Sequence, residues 1–309
     1  MDSVLDMLTV YDNDTSPVTF PKSLIMTKSS PQTLKVIRAD DRVSDGVFVA
    51  CKHLLAEIKK FKGQIWTVYK QNFKNSYYGS GLGVTWNFIL PLIPVTVYLF
   101  LTKIKVFPSF EGVDSSTYLT FGVTIWFVFA GFIQIPISIV QSRNKDAMRT
   151  SLPLSTSIVS SFAGLAFDTL IRMILVLCIM VLMKSWPTWW APSLFFIFIP
   201  GFFLFFGAGL ILSIWNVIYR DVSRIVMILL QYGIFVSGVI FPLGSSDLAV
   251  LANKINPFAV FINATREIVF QGTVEDWTSL LIWSGFGILL FIYGCRLFYV
   301  MEFRIRDVN

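Results

Sequence analysis

The chain of 309 residues is 55% hydrophobic and only 14% charged, with a mean hydropathy of +0.68, where soluble domains carry about a quarter charged residues. This excludes an ordinary soluble domain and predicts an integral membrane protein. The net charge of +6 is spread over short basic segments between apolar runs, the placement of orientation signals and not of a nucleic-acid surface.

Residues 1–50 are polar and mixed in charge, with no sustained apolar period, and are expected to form a cytosolic tail. No basic-then-apolar signal peptide is read there, so the first span is expected to serve as the targeting signal. From Leu54 the pattern changes: Leu54, Leu55, Ile58, Phe61, Ile65, Trp66, Tyr69 and Phe73 recur at three- and four-residue steps between Lys59, Lys60, Lys62, Lys70 and Lys74. This is an amphipathic helix with a basic face, suited to a membrane surface or to packing on a cytosolic domain. His53, the sole histidine, sits in this flank and is read as solvated.

The stretch "NSYYGSGLGVTWNFILPLIPVTVYLFLT" begins polar and glycine-rich and then runs apolar. Segments long enough for about 30 Å of hydrocarbon are expected at 84–103, 117–139, 157–183, 191–215, 225–243 and 279–300. The basic residues Lys52 to Lys74, Arg143, Lys145, Arg149, Arg220, Arg224, Arg296, Arg304 and Arg306 fall on one side of these spans. Lys103, Lys105, Lys184, Lys254 and Arg266 fall on the other. That bias places both termini in the cytosol. The segment from Phe241 to Trp277 is too apolar for an ordinary exterior loop and is broken by Pro242, Gly244, Asn256-Pro257 and Gly272, which predicts two short re-entrant helices. The fold class is therefore all-α integral membrane. Its parts are a polar tail (1–50), an amphipathic interfacial helix with a Gly-rich approach (51–83), and six transmembrane helices with the two re-entrant helices between spans five and six (84–309).

Catalytic chemistry is sparse. No G-x-x-x-x-G-K-[ST] loop occurs, so the chain is not expected to hydrolyse ATP by itself, and no cluster of Asp, Glu or His marks an enzyme active site. Cys51, Cys178 and Cys295 are odd in number and widely spaced, which argues against a disulfide framework or a metal site. Asp168 lies within a span with Arg172 one turn later, either a polar site facing a conduit or subunit interface, or a local ion pair that fixes packing. Among the many aromatic residues, Trp186, Trp189, Trp190 and Trp277 are expected at the lipid interface and most phenylalanines toward lipid. A minority of ring faces would suit a sugar chain.

Four motifs in order resemble the transmembrane subunit of type-2 ABC transporters that export polysaccharides, the O-antigen, capsule and wall teichoic acid exporters. Gly79, Ser80, Leu82, Gly83, Trp86 and Pro91 follow the family's pattern at the first span, although Ser76 and Tyr78 stand where the family often has arginines. "NKDAMRTSLPLSTSIVSSF" from Asn144 is similar to its cytosolic loop, "NVIYRDVSRIV" from Asn216 to its N-V-x-x-R-D-V. Asn256-Pro257, Arg266 and Gly272 follow its N-P…R…G order.

The resemblance implies a homodimer working with two copies of a separate nucleotide-binding subunit that carries ATP and Mg, in a bacterial inner membrane, with a conduit lined mainly by the first and fifth spans. It implies a substrate entrance at Tyr78, Gly79, Ser80, Gly81, Gly83 and Trp86. Coupling to the ATPase falls to Asn144, Lys145, Asp146 and Arg149. Arg220 and Asp221 are implied as a cytosolic gate or docking point, with a local ion pair or helix cap as the plainer reading, and Asn256, Pro257 and Arg266 as an outer gate. The cargo implied is a lipid-linked polysaccharide, O-antigen foremost. A permease of the same fold for a drug or small lipid, and a membrane-embedded lipid-sugar transferase, are the competing readings.

Overall fold

The computed structural model describes residues 46–104, 114–146, 153–240 and 246–307, all within the compact unit Ala39–Asn309. Every regular element among them is a helix: α1 (Val47–Lys60), α2 (Lys62–Tyr77), α3 (Trp86–Lys103), α4 (Ser115–Asp146), α5 (Leu154–Leu182), α6 (Leu194–Ile218), α7 (Asp221–Val236), α8 (Asp247–Ile255), α9 (Pro257–Phe270) and α10 (Trp277–Asp307). The polar tail expected at 1–50 falls almost wholly outside the described residues.

Helix is the only element that satisfies every backbone polar group within an apolar segment, which is why the apolar runs form it. Four stretches, Ser115–Ser142, Leu154–Leu182, Ala191–Ile218 and Trp277–Glu302, are 26 to 29 residues long and apolar enough to cross a membrane. At 1.5 Å per residue each reaches about 40 Å, beyond the ~30 Å of hydrocarbon. α3 and α7 are shorter, at 18 and 16 residues.

Helix α6 is the hub, packed against α4 on one side and α10 on the other. Two glycines two positions apart make this possible. A Cβ on Gly207 would fall 2.6 Å from the Phe291 backbone nitrogen, and one on Gly209 would fall 2.6 Å from the Phe132 carbonyl oxygen. In a bilayer, where lipid is as apolar as leucine, such close backbone approach supplies much of the association between helices. The seam is filled by aromatic rings: Phe129 lies 4.7 Å from Phe205 and 6.0 Å from Phe261, and Phe132 meets Phe202 edge-on at 5.0 Å. Many phenylalanines expected toward lipid are thus core residues. Trp186, Trp189, Trp190 and Trp277 are all exposed.

The amphipathic stretch forms two helices with a break at Phe61, where φ −99° and ψ 16° leave the helical range. α1 packs on α10 and α5, and α2 on α5. Phe73 meets Phe167 edge-on at 5.0 Å, and His53 stacks on buried Tyr299 at 5.8 Å while remaining exposed itself.

The apolar return segment forms α8 and α9. α9 is buried against α4 and α6 almost along its whole length, which accounts for its composition. Its start is written locally: Asn256 is the N-cap, accepting from the Phe258 N–H at 3.0 Å, and Pro257 occupies the first helical position. α10 begins the same way, with Asp276 accepting from the Ser279 N–H at 3.0 Å and from its hydroxyl at 2.7 Å. These bonds hold the Asp276 carboxyl below its ordinary range. A depressed carboxyl stabilises the fold above its unfolded-state value and loses that contribution as pH falls through the folded one. Asp276→Ala should therefore cost about 1 kcal/mol at neutral pH and less below about pH 4, read as thermal unfolding of the purified protein against pH.

Because Gly207 touches backbone that cannot step aside, Gly207→Leu should prevent folding or destabilise by about 3 kcal/mol or more. Gly285→Leu, where a Cβ meets nothing within 4 Å, should be tolerated. Fluorescence-detected size exclusion after graded heating compares the two.

Candidate functional site

The residues expected at the entrance lie between α2 and α3, with Trp86 at the first position of α3. The chain leaves α2 at Tyr78, turns through Gly79 at φ +79° and Gly83 at φ +48°, and enters a short 3-10 turn, Gly83–Thr85, that leads into α3. Both glycines occupy left-handed backbone that side chains disfavour. The Ser80 hydroxyl accepts from the Gly83 N–H at 3.1 Å and closes the turn. A Cβ at Gly79, Gly81 or Gly83 would meet nothing within 4 Å, and Tyr78 and Trp86 are exposed. The glycines are therefore required for the turn itself at 79 and 83, and leave an open surface around all three.

Of the coupling residues, Asn144, Lys145 and Asp146 are the last backbone positions of α4, and Arg149 lies outside the described residues. The chain re-emerges at Pro153, and here the structure adds residues that sequence reasoning missed. Pro153 offers α5 no side-chain cap. The Leu154 N–H donates instead to Glu302 Oε1 of α10 at 2.7 Å, and the Ser155 hydroxyl donates to Glu57 Oε2 of α1 at 3.2 Å. Two carboxylates from distant helices thus meet the positive end of α5, whose first N–H groups have no partner within the helix. The first turn of α5 is therefore tied to α1 and α10.

Asp168 and Arg172 attract each other across one turn of α5. The Arg172 guanidinium lies over the Phe127 ring of α4, 4.3 Å from its centroid, a cation–π contact. Both charges open into a cleft of about 510 Å³ between α2, α4 and α5, which also receives Asn72, Gln134 and Ser160.

At the start of α7, Arg220 is the N-cap residue and Asp221 lies in the first turn, favourable to the helix dipole. The ion pair is between Asp221 and Arg224 at 3.5 Å, with both side chains about 80% exposed, and contributes little in solvent. The buried partner is Asn216, whose Oδ1 accepts from the Ser223 N–H at 3.0 Å.

Asn256 and Arg266 converge on the residues at and just beyond the other end of α7, with Pro257 the first residue of α9. The Asn256 side-chain amide donates to Ser237 Oγ at 2.8 Å, and Ser237 donates in turn to the Gly233 carbonyl at 2.7 Å. Arg266 is only 2% exposed. Its Nη1 donates to the Gly238 carbonyl at 2.9 Å and Nη2 to the Val239 carbonyl at 2.7 Å, while its guanidinium lies 3.8 Å from the Tyr118 ring centroid. A buried cation here answers the carbonyls left beyond the end of α7. Gly122 makes the space, since a Cβ there would overlap the guanidinium.

Replacing Arg266 with Met would strand two buried carbonyls at about 1–3 kcal/mol each, and Gly122→Leu would evict the guanidinium. Both variants should lower the unfolding temperature by similar amounts, and the double variant should cost less than their sum because both act on one interaction. Thermal unfolding in detergent tests this.

The chain is 21% identical over 243 residues to the O-antigen export system permease protein RfbA of Myxococcus xanthus, covering 77% of this chain and 92% of that protein. It is 24% identical over 251 residues to the protein of the same name from Klebsiella pneumoniae, covering 78% and 93% respectively. Residues 63–270 match the ABC-2 type transporter family, a stretch that runs from α2 through the end of α9 and takes in more than half of the chain, and the protein belongs to that family.

Proposed function

We propose that this chain is the channel-forming subunit of an ATP-driven exporter that moves a lipid-linked polysaccharide, O-antigen foremost, across a bacterial cytoplasmic membrane. The observation that carries the reading is the likeness to O-antigen export permeases along 92% and 93% of their length. The sparse catalytic chemistry of the helices agrees with a transport subunit whose ATP and Mg sit on a separate nucleotide-binding partner. Two copies of this chain work with two copies of that partner, and α3 and α7 complete a set of six spans with both termini cytosolic and α8 and α9 as the re-entrant pair.

In this reading the basic stretch Lys59 to Lys74 on α1 and α2 draws the anionic headgroup of the carrier lipid to the cytosolic leaflet. The turn at Gly79 to Gly83 admits it toward α3. ATP-driven motion of the partner reaches the chain through Asn144 to Arg149 and passes along α5, whose first turn is fastened to α1 and α10 by Glu57 and Glu302. At the far end, the hold of Asn256 and Arg266 on the terminus of α7 sets where that helix can swing to open an outward path.

Affinity purification from the native membrane with mass spectrometry of what co-purifies should recover a phosphate-loop ATPase in about equal amount together with a polyprenyl- or phospholipid-linked glycan. Recovery of the chain with no ATPase, under conditions that keep other complexes intact, would reject the proposal. Charge reversal at Lys145 and Arg149 together should leave the complex assembled and ATPase active while surface polysaccharide falls at least tenfold; unchanged export would remove the coupling assignment. Gly83→Leu should block export in the same assay through strain in the turn and bulk at the entrance.

A further inference from the structure

The cleft between α2, α4 and α5 holds chemistry that orientation and packing do not require. Asp168 and Arg172 sit about 21 Å along α5 from its first residue and about 15 Å from its last, by 1.5 Å per residue, well inside a span of 29 residues. A charged or polar wall at such depth costs several kcal/mol where it faces hydrocarbon, so the cleft needs a polar occupant. Gln134 of α4 and Asn72 of α2 face the same space and are exposed.

Ser160 gives the second, independent sign. Its side chain is 1% exposed and lines the cleft, yet its hydroxyl has no hydrogen-bond partner among the described residues. Buried hydroxyls are ordinarily paired. A hydroxyl at the wall of a polar cleft that the protein itself leaves unpaired adds to the polar demand of that wall.

The identity of that partner follows from charge and donor balance. One carboxylate and one guanidinium leave the cleft with no net charge, so a phosphate would meet a single cation and the repulsion of Asp168. The set instead mixes acceptors (the Asp168 carboxylate, the Gln134 and Asn72 carbonyl oxygens) with donors (Arg172, the two amide nitrogens, serine hydroxyls). It also presents aromatic surface from Phe127 and Tyr69. Hydroxyls that both donate and accept, carried on a ring with apolar C–H faces, answer this set. The volume of about 510 Å³ lies within the ~300–1,000 Å³ of small-molecule sites.

We infer that the cleft is a binding subsite for uncharged sugar residues, holding the carrier-proximal end of the glycan beside the entrance. α2 leads directly into the glycine turn, and α3 packs on both α4 and α5, so the cleft lies beside the first span. This inference rests on the proposed export of a glycan, but the test reads the cleft without transport.

The chain, in complex with its ATPase partner and reconstituted in lipid nanodiscs, carries Cys178→Ser with Ser161→Cys, or with Ser138→Cys as a second reporter of the same cleft. A charged methanethiosulfonate reagent is applied, and peptide mass spectrometry locates the label. The expected result is labelling of both reporters, slowed at least threefold by maltose and unchanged by inorganic phosphate at equal ionic strength, with the protection lost in Asp168→Ala. No labelling of either reporter would show a cleft closed to water, and protection by phosphate without protection by maltose would show an anion site; either overturns the inference, as does labelling that neither compound slows. Export by the unsubstituted chain in cells is read separately, so the subsite and the transport function can fail independently.

Discussion

A helix that ends inside apolar surroundings leaves N–H or carbonyl groups that water cannot reach, and much of this structure is arranged around answering them. The first turn of α5 receives Glu302 and Glu57 from helices at opposite ends of the described chain. The turn just beyond α7, at Gly238 and Val239, receives Arg266 from α9. In each case a long charged side chain does across the fold what a serine or glycine does locally in a soluble protein. The sign is right both times: carboxylates at an N-terminus, a guanidinium at a C-terminus.

These fastenings add polar bonds where helix ends meet the packed body. The α4–α6–α10 seam is held by backbone approach at Gly207 and Gly209 and by stacked phenylalanine rings, contacts that resist sliding. α1 and the start of α5 pack on α10 and α6 through Leu54, Leu154, Ile158 and Phe298, and Glu57 and Glu302 add polar bonds to that contact, while the turn beyond α7 is held by Asn256 and Arg266. Such bonds can be exchanged for others at modest net cost, whereas a packed seam has no intermediate arrangement. A transporter driven from one side needs both kinds: a body that stays whole and ends that can change partner.

Much of this was legible in the sequence where the cause is local. Long apolar runs gave α4, α5, α6 and α10 within a few residues. The left-handed turns at Gly79 and Gly83 and the Asn256-Pro257 helix start follow from residue chemistry at adjacent positions. What could not be read depends on partners far apart in the chain. Glu302 is 148 positions from the N–H it satisfies. Arg266 reaches carbonyls 28 and 27 positions back, so the family motif marks the residue but not its work. The phenylalanine core escaped for a related reason: in a chain apolar on all sides, periodicity does not separate a lipid-facing ring from a buried one. The ion pair at the start of α7 fell to Arg224, one turn on, because three-residue spacing on a helix brings side chains together and adjacent spacing does not.

Directional movement of glycan in a defined membrane tests the central claim most directly. The chain and its co-purified ATPase, reconstituted in vesicles with the ATPase outward and carrier-linked glycan in the outer leaflet, should transfer glycan to the lumen only when ATP and Mg are supplied. Protection of the glycan from an external glycosidase reads that transfer, and vesicles lacking this chain should show none. ATP hydrolysis by an intact complex with no gain in protected glycan would contradict the account.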